Sequence, residues 1–328
     1  MLGRVKLARV PLLGGATPRY TLEMPSRKVV RSPHPRRITE ERNAASKDLD
    51  RMSSLEIIRL MNREDQRVAP AVGRAVPAIA RAVDEIVARM TIGGRLIYVG
   101  AGSSGRIGVL DASECPPTFG VSPRLVRGVI AGGRKALMQS VEGAEDRPRD
   151  AARDLKKIRL TKLDSVVAIA ASGTTPYALG AIDYAKRCGA LTIGVTVNRR
   201  SPLAKTAKIA ITPQVGPEIL AGSTRLKAGT SQKMVLNMLS TAVMVRLGHA
   251  YDNLMIDVDE ANEKLRERAK WILKEASAKD VSAVTRALRQ SGHDLRLALI
   301  MLKRGVSAKQ ARKILQESRR NLRRALGE

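Results

Sequence analysis

Five short apolar runs rich in β-branched residues recur near positions 95–99, 125–130, 165–170, 191–197 and 208–212. Between them the apolar positions shift to the three-to-four spacing of amphipathic helices. That alternation predicts an α/β fold, a doubly wound parallel sheet of five strands with helices on both faces, because parallel neighbours need helical crossovers. From Thr39 to about Met90 helical spacing dominates, and Asp50-Arg-Met-Ser-Ser-Leu-Glu56 supplies an N-cap ahead of a Leu55–Met61 helix. After the last run, a glycine-rich polar stretch from Val215 to Lys233 opens a long apolar helix reaching about Leu247. Past Asp257 the pattern becomes helices with basic faces at roughly 260–277, 280–290, 293–304 and 307–326, punctuated by Gly292 and Gly305. The chain therefore divides into an extension, 1–37, a sheet domain with its leading helices, 38–257, and a small helical bundle, 258–328.

Two of the strand ends carry chemistry. Arg95-Leu-Ile-Tyr-Val99 runs into Gly100-Ala-Gly-Ser-Ser-Gly-Arg106, where glycines let the backbone turn and approach a ligand. Ser103 and Ser104 add hydroxyl donors, and the following helix offers unpaired N–H groups to an anion. Gly102, Ser103, Ser104 and Gly105 are thus candidate phosphate ligands. Ser165-Val-Val-Ala-Ile-Ala-Ala-Ser-Gly-Thr-Thr-Pro-Tyr177 repeats the design and adds Ser172, Gly173, Thr174 and Thr175. In an open parallel sheet such loops line one crevice, so both are expected to grip one phosphorylated ligand. Glu114 follows two to three turns into the first loop's helix or just past it, and Pro116-Pro117 is expected to stop that helix. Arg225 and Lys227, in the glycine-rich stretch, are further candidates for holding an anion.

Composition narrows the class. A chain of 328 residues with 44% hydrophobic content buries a sizeable core, and no apolar run reaches the roughly 18 residues of a bilayer span. Two cysteines, Cys115 and Cys188, argue against a disulfide framework and for a reducing compartment. Cys115 beside Glu114 reads as a packed side chain, since no histidine accompanies it. The net charge of +28 concentrates at the ends: residues 1–37 hold nine Lys/Arg against Glu23 alone, and residues 261–328 hold eighteen against seven acids. With 2% aromatic residues and no nucleic-acid motif, this excess reads as solvated basic surface that contacts polyanions at most in passing. Residues 1–37, rich in Pro and Arg, read as a flexible arm or an over-long start, and Arg4, Lys6, Arg9 and Pro11 break any export signal.

Residues 38–328 resemble the N-acetylmuramic acid 6-phosphate etherase family. The resemblance is carried by Ile38-Thr-Glu-Glu-Arg-Asn-Ala-Ala-Ser46, Gly94-Arg-Leu-Ile-Tyr-Val-Gly-Ala-Gly102, Leu110-Asp-Ala-Ser-Glu-Cys-Pro-Pro-Thr-Phe-Gly120, Val141-Glu-Gly-Ala-Glu-Asp146, Gly222-Ser-Thr-Arg-Leu-Lys-Ala-Gly-Thr230 and Lys233-Met-Val-Leu-Asn-Met-Leu-Ser-Thr241. It implies a sugar isomerase (SIS) fold, kinship with the glucokinase regulatory protein, and cytoplasmic cleavage of the lactyl ether in amino-sugar catabolism and cell-wall recycling. It carries the family's two functional acids onto Glu114 and Glu145 and assigns Glu114 as proton donor; because a proton must leave C2 of the sugar while the departing ether oxygen gains one, the base role is inferred for Glu145. Glu142 and Asp146 read as a solvated acidic helix end.

No cofactor and no metal are called for, and His34, His249 and His293 all lie outside the motifs. A homodimer completing the site is implied by the same resemblance. Where the family commonly reads ASGRTPY this chain has Ala171-Ser-Gly-Thr-Thr-Pro-Tyr177, with Thr174 in place of an arginine, and Ser103 stands for a threonine. The alternative class is a non-catalytic sugar-phosphate sensor that controls a partner.

Overall fold

The computed structural model describes residues 38–258, 263–318 and 321–328; the basic arm expected at 1–37 lies outside the described residues. Three helices, α1 (Ser54–Asp65), α2 (Val68–Gly73) and α3 (Val76–Thr91), lead into the sheet. There follow β1 (Leu96–Gly100), α4 (Gly102–Phe119), β2 (Val126–Ile130), α5 (Lys135–Met138), α6 (Pro148–Lys157), β3 (Ser165–Ile169), α7 (Pro176–Arg187), β4 (Leu191–Val195), α8 (Pro202–Thr206), β5 (Ile209–Ile211) and the long α9 (Lys227–Arg246). The N-cap expected before the first helix is Ser53, which forms a reciprocal capping box with Glu56. The five strands are all parallel in the order β2-β1-β3-β4-β5, the sheet the periodicity predicts.

The central strands β1, β3 and β4 are buried throughout because both sheet faces are covered there. Leu96 and Tyr98 of β1 point into a core shared with α2, α3, α4 and α9, while Ile97 and Val99 point the other way, onto α6 and α7. That period-two division makes the fold doubly wound. Among the described residues no helix is long and apolar enough to cross a membrane.

Helices α10 (Glu263–Ser277), α11 (Val281–Ser291), α12 (Leu295–Arg304), α13 (Ala308–Glu317) and α14 (Leu322–Leu326) enclose an apolar cluster of their own, joined by Tyr251, Ile256 and Val258. Gly292 and Gly305 cap α11 and α12 in the left-handed conformation. The single helix expected over 307–326 is instead two, because Ser318 closes α13 and the side chain of Asn321 accepts from Arg324 N–H to start α14 afresh. Next to the sheet, Asp257 takes two hydrogen bonds of 2.5 Å from Arg296 and one contact of 2.7 Å with His249 Nδ1. Burial pushes the Asp257 carboxyl up, but Arg296 and His249 outweigh it and hold the group below its ordinary value.

A second expectation fails at Pro116-Pro117, which lie inside α4 rather than ending it. Proline's fixed φ suits a helix; what it removes is the N–H that would reach back one turn. Cys115 and Phe119, both buried, anchor the last turn in the core, and the helix ends at Gly120, whose N–H bonds Pro116 O at 2.9 Å.

Candidate active site

Strand order places β1 beside β3, with Gly100 opposite Ile169, so the loops that follow these two strands are neighbours. This is the point where the sheet's winding reverses, the crevice where open α/β sheets bind ligands. Both hydroxyl-rich loops read from the sequence leave the sheet there, at the ends of neighbouring strands. A cleft of about 340 Å³ opens beside the first of them, lined by Ala101, Gly102 and Arg106 on one side and by Gln139, Ser140 and the Val141–Glu145 loop on the other; no residue of the second loop lines it.

The first loop divides its labour. Gly102 is exposed at the start of α4, and Ser103 is half-buried beside it. Gly105 N–H bonds Ala101 O at 3.1 Å, which leaves the earlier amides of the first turn for a ligand. Gly105 itself is a packing residue: a Cβ there would lie 2.6 Å from Ile130 Cγ1 and 2.7 Å from Gly100 O. Ser104 is buried and turned away from the cleft, donating to Gln232 Oε1 of α9 at 3.0 Å.

The second loop does the same. Gly173 has φ of 69°, and any side chain would collide with Ser201 and Thr196, so its role is to let the loop lie flat on α8. Ser172 Oγ and Thr174 Oγ1 are 2.9 Å apart, and Ser172 Oγ also accepts from Thr174 N–H at 3.2 Å. Thr175 caps α7 through its backbone alone.

Glu145 is exposed on the cleft-lining loop, and its carbonyl accepts Tyr177 N–H at 2.9 Å, which ties it to the start of α7. Tyr177 is itself held by a 2.9 Å bond from its hydroxyl to Asp154 of α6. Burial, with Asp154 next, pushes the Tyr177 hydroxyl well above its ordinary value, so it stays a neutral donor. Glu142 and Asp146 are exposed on the same loop.

Glu114 is exposed too, but twelve residues along α4 from Gly102 and hence roughly 18 Å away at 1.5 Å per residue. It does not line the cleft that Glu145 lines. Arg225 is exposed ahead of α9. Lys227 is not available for an anion from outside: it is buried, with Nζ 2.5 Å from Glu64 Oε2. Cys115 is buried, with its thiol pointing to Asp111 O at 3.3 Å, and burial pushes the thiol up to about 12, which removes it as a nucleophile.

Two residues escape the sequence reading. Arg106, one turn into α4, donates to Leu137 O and Gln139 O at 3.2 and 3.1 Å and so holds the far wall of the cleft. Its signal was its position, four residues after Gly102 on the cleft side. Asp111 is buried and accepts from Asn237 and Ser240 of α9 at 3.1 and 3.2 Å. It joins the helix carrying Glu114 to α9, and burial raises its pKa. The signal there was a polar residue at an apolar spacing in each of two motifs.

Residues 78–186 match the glucokinase regulatory protein N-terminal SIS domain family and residues 147–242 the SIS domain family. The chain is 50% identical over 290 residues to the N-acetylmuramic acid 6-phosphate etherase of Clostridium beijerinckii, covering 88% of this chain and 95% of that one. It is 51% identical over 289 residues to the etherase of Pectobacterium atrosepticum, with the same coverage of 88% and 95%. Among solved structures, a phosphoheptose isomerase from Francisella tularensis superposes with a TM-score of 0.46 at 19% identity, over 59% of this chain and 100% of the other.

Proposed function

The chain belongs to the N-acetylmuramic acid 6-phosphate etherase family, and from that membership we propose how its own residues perform the reaction. It is an enzyme, a carbon–oxygen lyase that converts N-acetylmuramic acid 6-phosphate and water to N-acetylglucosamine 6-phosphate and D-lactate. The observation that carries the reading is half identity over 88% of the chain, in a fold whose two hydroxyl loops follow neighbouring parallel strands. Half identity to the etherases over most of the chain, with both acids present, outweighs the match of residues 78–186 to the glucokinase regulatory protein N-terminal SIS domain family, so the enzyme reading stands above the sensing one.

In this scheme the 6-phosphate sits against the first-turn amides of α4 and the hydroxyls of Ser103, Ser172, Thr174 and Thr175. Opening of the sugar ring gives an aldehyde at C1, which makes the C2 proton acidic. Glu145 takes that proton, and Glu114 gives one to the ether oxygen as the C3–O bond breaks and lactate leaves. Water then adds across the C2–C3 double bond, its oxygen to C3 and a proton to C2, and the acids regain their starting states. Elimination and hydration proceed by acid–base catalysis with no net change of oxidation state, so the scheme calls for no cofactor or metal.

The separation between Glu114 and the crevice of its own chain supports a working unit of two copies, each lending Glu114 to the other. Leu110, 49% exposed one turn before Glu114, offers an apolar contact on the same helix face. Both cysteines are free, which fits a reducing compartment, and the cytoplasm is the proposed place of work.

The test is release of D-lactate from N-acetylmuramic acid 6-phosphate and not from the unphosphorylated sugar, with solvent oxygen appearing at C3 of the product. Equal turnover of the two sugars, or an unlabelled C3, overturns the scheme.

A further inference from the structure

A cleft of about 810 Å³ runs along the open edge of the sheet. β2 is the outermost strand and pairs with β1 alone. The cleft follows Arg127–Ile130, flanked by Val109 of α4 on one side and by α6 on the other. Along it, Arg153 and Lys157 are neutralised by Asp150 and Asp154. Arg127, Arg134 and Arg147 are not: among the described residues none has a carboxylate within ion-pairing distance. Arg127 is moreover half-buried on the strand itself. A cation partly stripped of water without a counter-ion is unfavourable, and an anion in the cleft would offset that cost.

The cleft borders the catalytic one. Val141, Glu142 and Ala144 line both, so a single short loop is the wall between them. A second copy of the chain is a poor occupant, since pairing edge to edge sets these arginines against their own counterparts.

We propose that this edge cleft binds a compact small-molecule polyanion, with two or more phosphate or carboxylate charges, and that its occupancy reaches the active site through the Val141–Glu145 loop. Arg127, Arg134 and Arg147 supply the recognition, each offering a planar pair of donors to an oxyanion. Glu142, on the shared wall, repels the ligand and sets which side of the cleft it occupies.

The experiment titrates the full chain with inorganic pyrophosphate by calorimetry after N-acetylglucosamine 6-phosphate has filled the catalytic cleft. Binding of that sugar and release of D-lactate are measured first, so failure of the proposed reaction appears as a missing first isotherm or absent lactate, and failure of the edge site as a missing second isotherm. The expected result is one further site whose affinity falls by roughly tenfold in Arg127→Gln and in the Arg134→Gln/Arg147→Gln double variant, with the melting temperature and basal turnover kept. At saturating substrate, pyrophosphate changes kcat by about twofold in the wild type and not in Arg127→Gln. Citrate in the same titration separates carboxylate from phosphate preference by which binds more tightly. No second isotherm, or an affinity indifferent to the arginine substitutions, marks diffuse attraction to a basic surface and overturns the site; an unchanged kcat overturns the coupling.

Discussion

Lys227 Nζ lies 2.5 Å from Glu64 Oε2, with the two side chains 2% and 1% exposed. Asn43 Nδ2 donates to the same oxygen at 2.7 Å, and Arg67 approaches the other at 3.1 Å. Burial pushes the Glu64 carboxyl up, yet Lys227 and Asn43 outweigh it and keep it below its ordinary value. The pair pins α1 to the start of α9, more than 160 residues later in the chain.

Removing one member strands the other charge in the interior. Glu64→Gln is expected to cost about 3–5 kcal/mol by urea denaturation, whereas the Glu64→Leu/Lys227→Met double variant recovers most of that loss. The substrate KM of the double variant stays near wild type. A large rise in KM with unchanged stability would return Lys227 to the list of anion ligands.

Gly173 gives a second prediction. Its backbone is left-handed and its Cβ position is occupied by Ser201 and Thr196, so Gly173→Ala forces the Ser172–Thr175 loop off α8. The expected outcome is a loss of stability of roughly 1–3 kcal/mol together with a raised KM for the phosphorylated sugar. A variant with wild-type KM would mean that the loop's path is immaterial to the phosphate.

These two residues also mark where sequence reading reaches its end. The three central strands were legible because each is sealed on both faces, which writes itself as an unbroken apolar run, while the edge strands β2 and β5 are only partly covered and showed as interrupted or shorter apolar runs. The paired loops were legible because glycine and hydroxyl residues crowd strand ends for chemical reasons. What a local pattern does not carry is where a side chain finds its partner. Ser104 turns to Gln232 and Lys227 to Glu64, residues 128 and 163 positions distant. Pro116-Pro117 misled for a related reason: whether a helix survives two prolines depends on how firmly Cys115 and Phe119 are buried beside them.

Acid should act on the junction at Asp257. Because its folded pKa is depressed, the unfolded chain binds the proton more readily, so the stability from this group is complete above the ordinary value of 3.8 and is lost as pH falls through the folded value. Asp257→Asn should therefore be clearly less stable than wild type near pH 6 and approach it near pH 3 in urea titrations. A stability gap that stays constant across that range would dissociate the carboxylate charge from the packing of α12.

Cys115 should be chemically silent. With its thiol pushed up to about 12, alkylation by iodoacetamide near pH 8 is expected to leave it unmodified in the folded enzyme. Cys115→Ala keeps turnover and gives up about 1 kcal/mol of stability for the lost buried sulfur. Inactivation that tracks labelling of Cys115 would reinstate it as a working group.

The two acids permit a decisive test of how the site is assembled. Glu114→Gln and Glu145→Gln each keep shape and remove the titrating proton, so each is expected to lower turnover by roughly 10²–10⁴-fold with binding largely kept, whereas Glu142→Gln is mild. If one copy supplies Glu114 and the other Glu145, a mixed dimer of the two inactive variants contains one site with both acids intact and one with neither. Random exchange of subunits then restores about a quarter of wild-type activity, half of the dimers being mixed and half of their sites competent. Mixing that restores nothing, after exchange has been verified by mass, would place both acids in the service of a single chain. The roughly 18 Å along α4 would then have to be spanned by the substrate or by a movement of the helix.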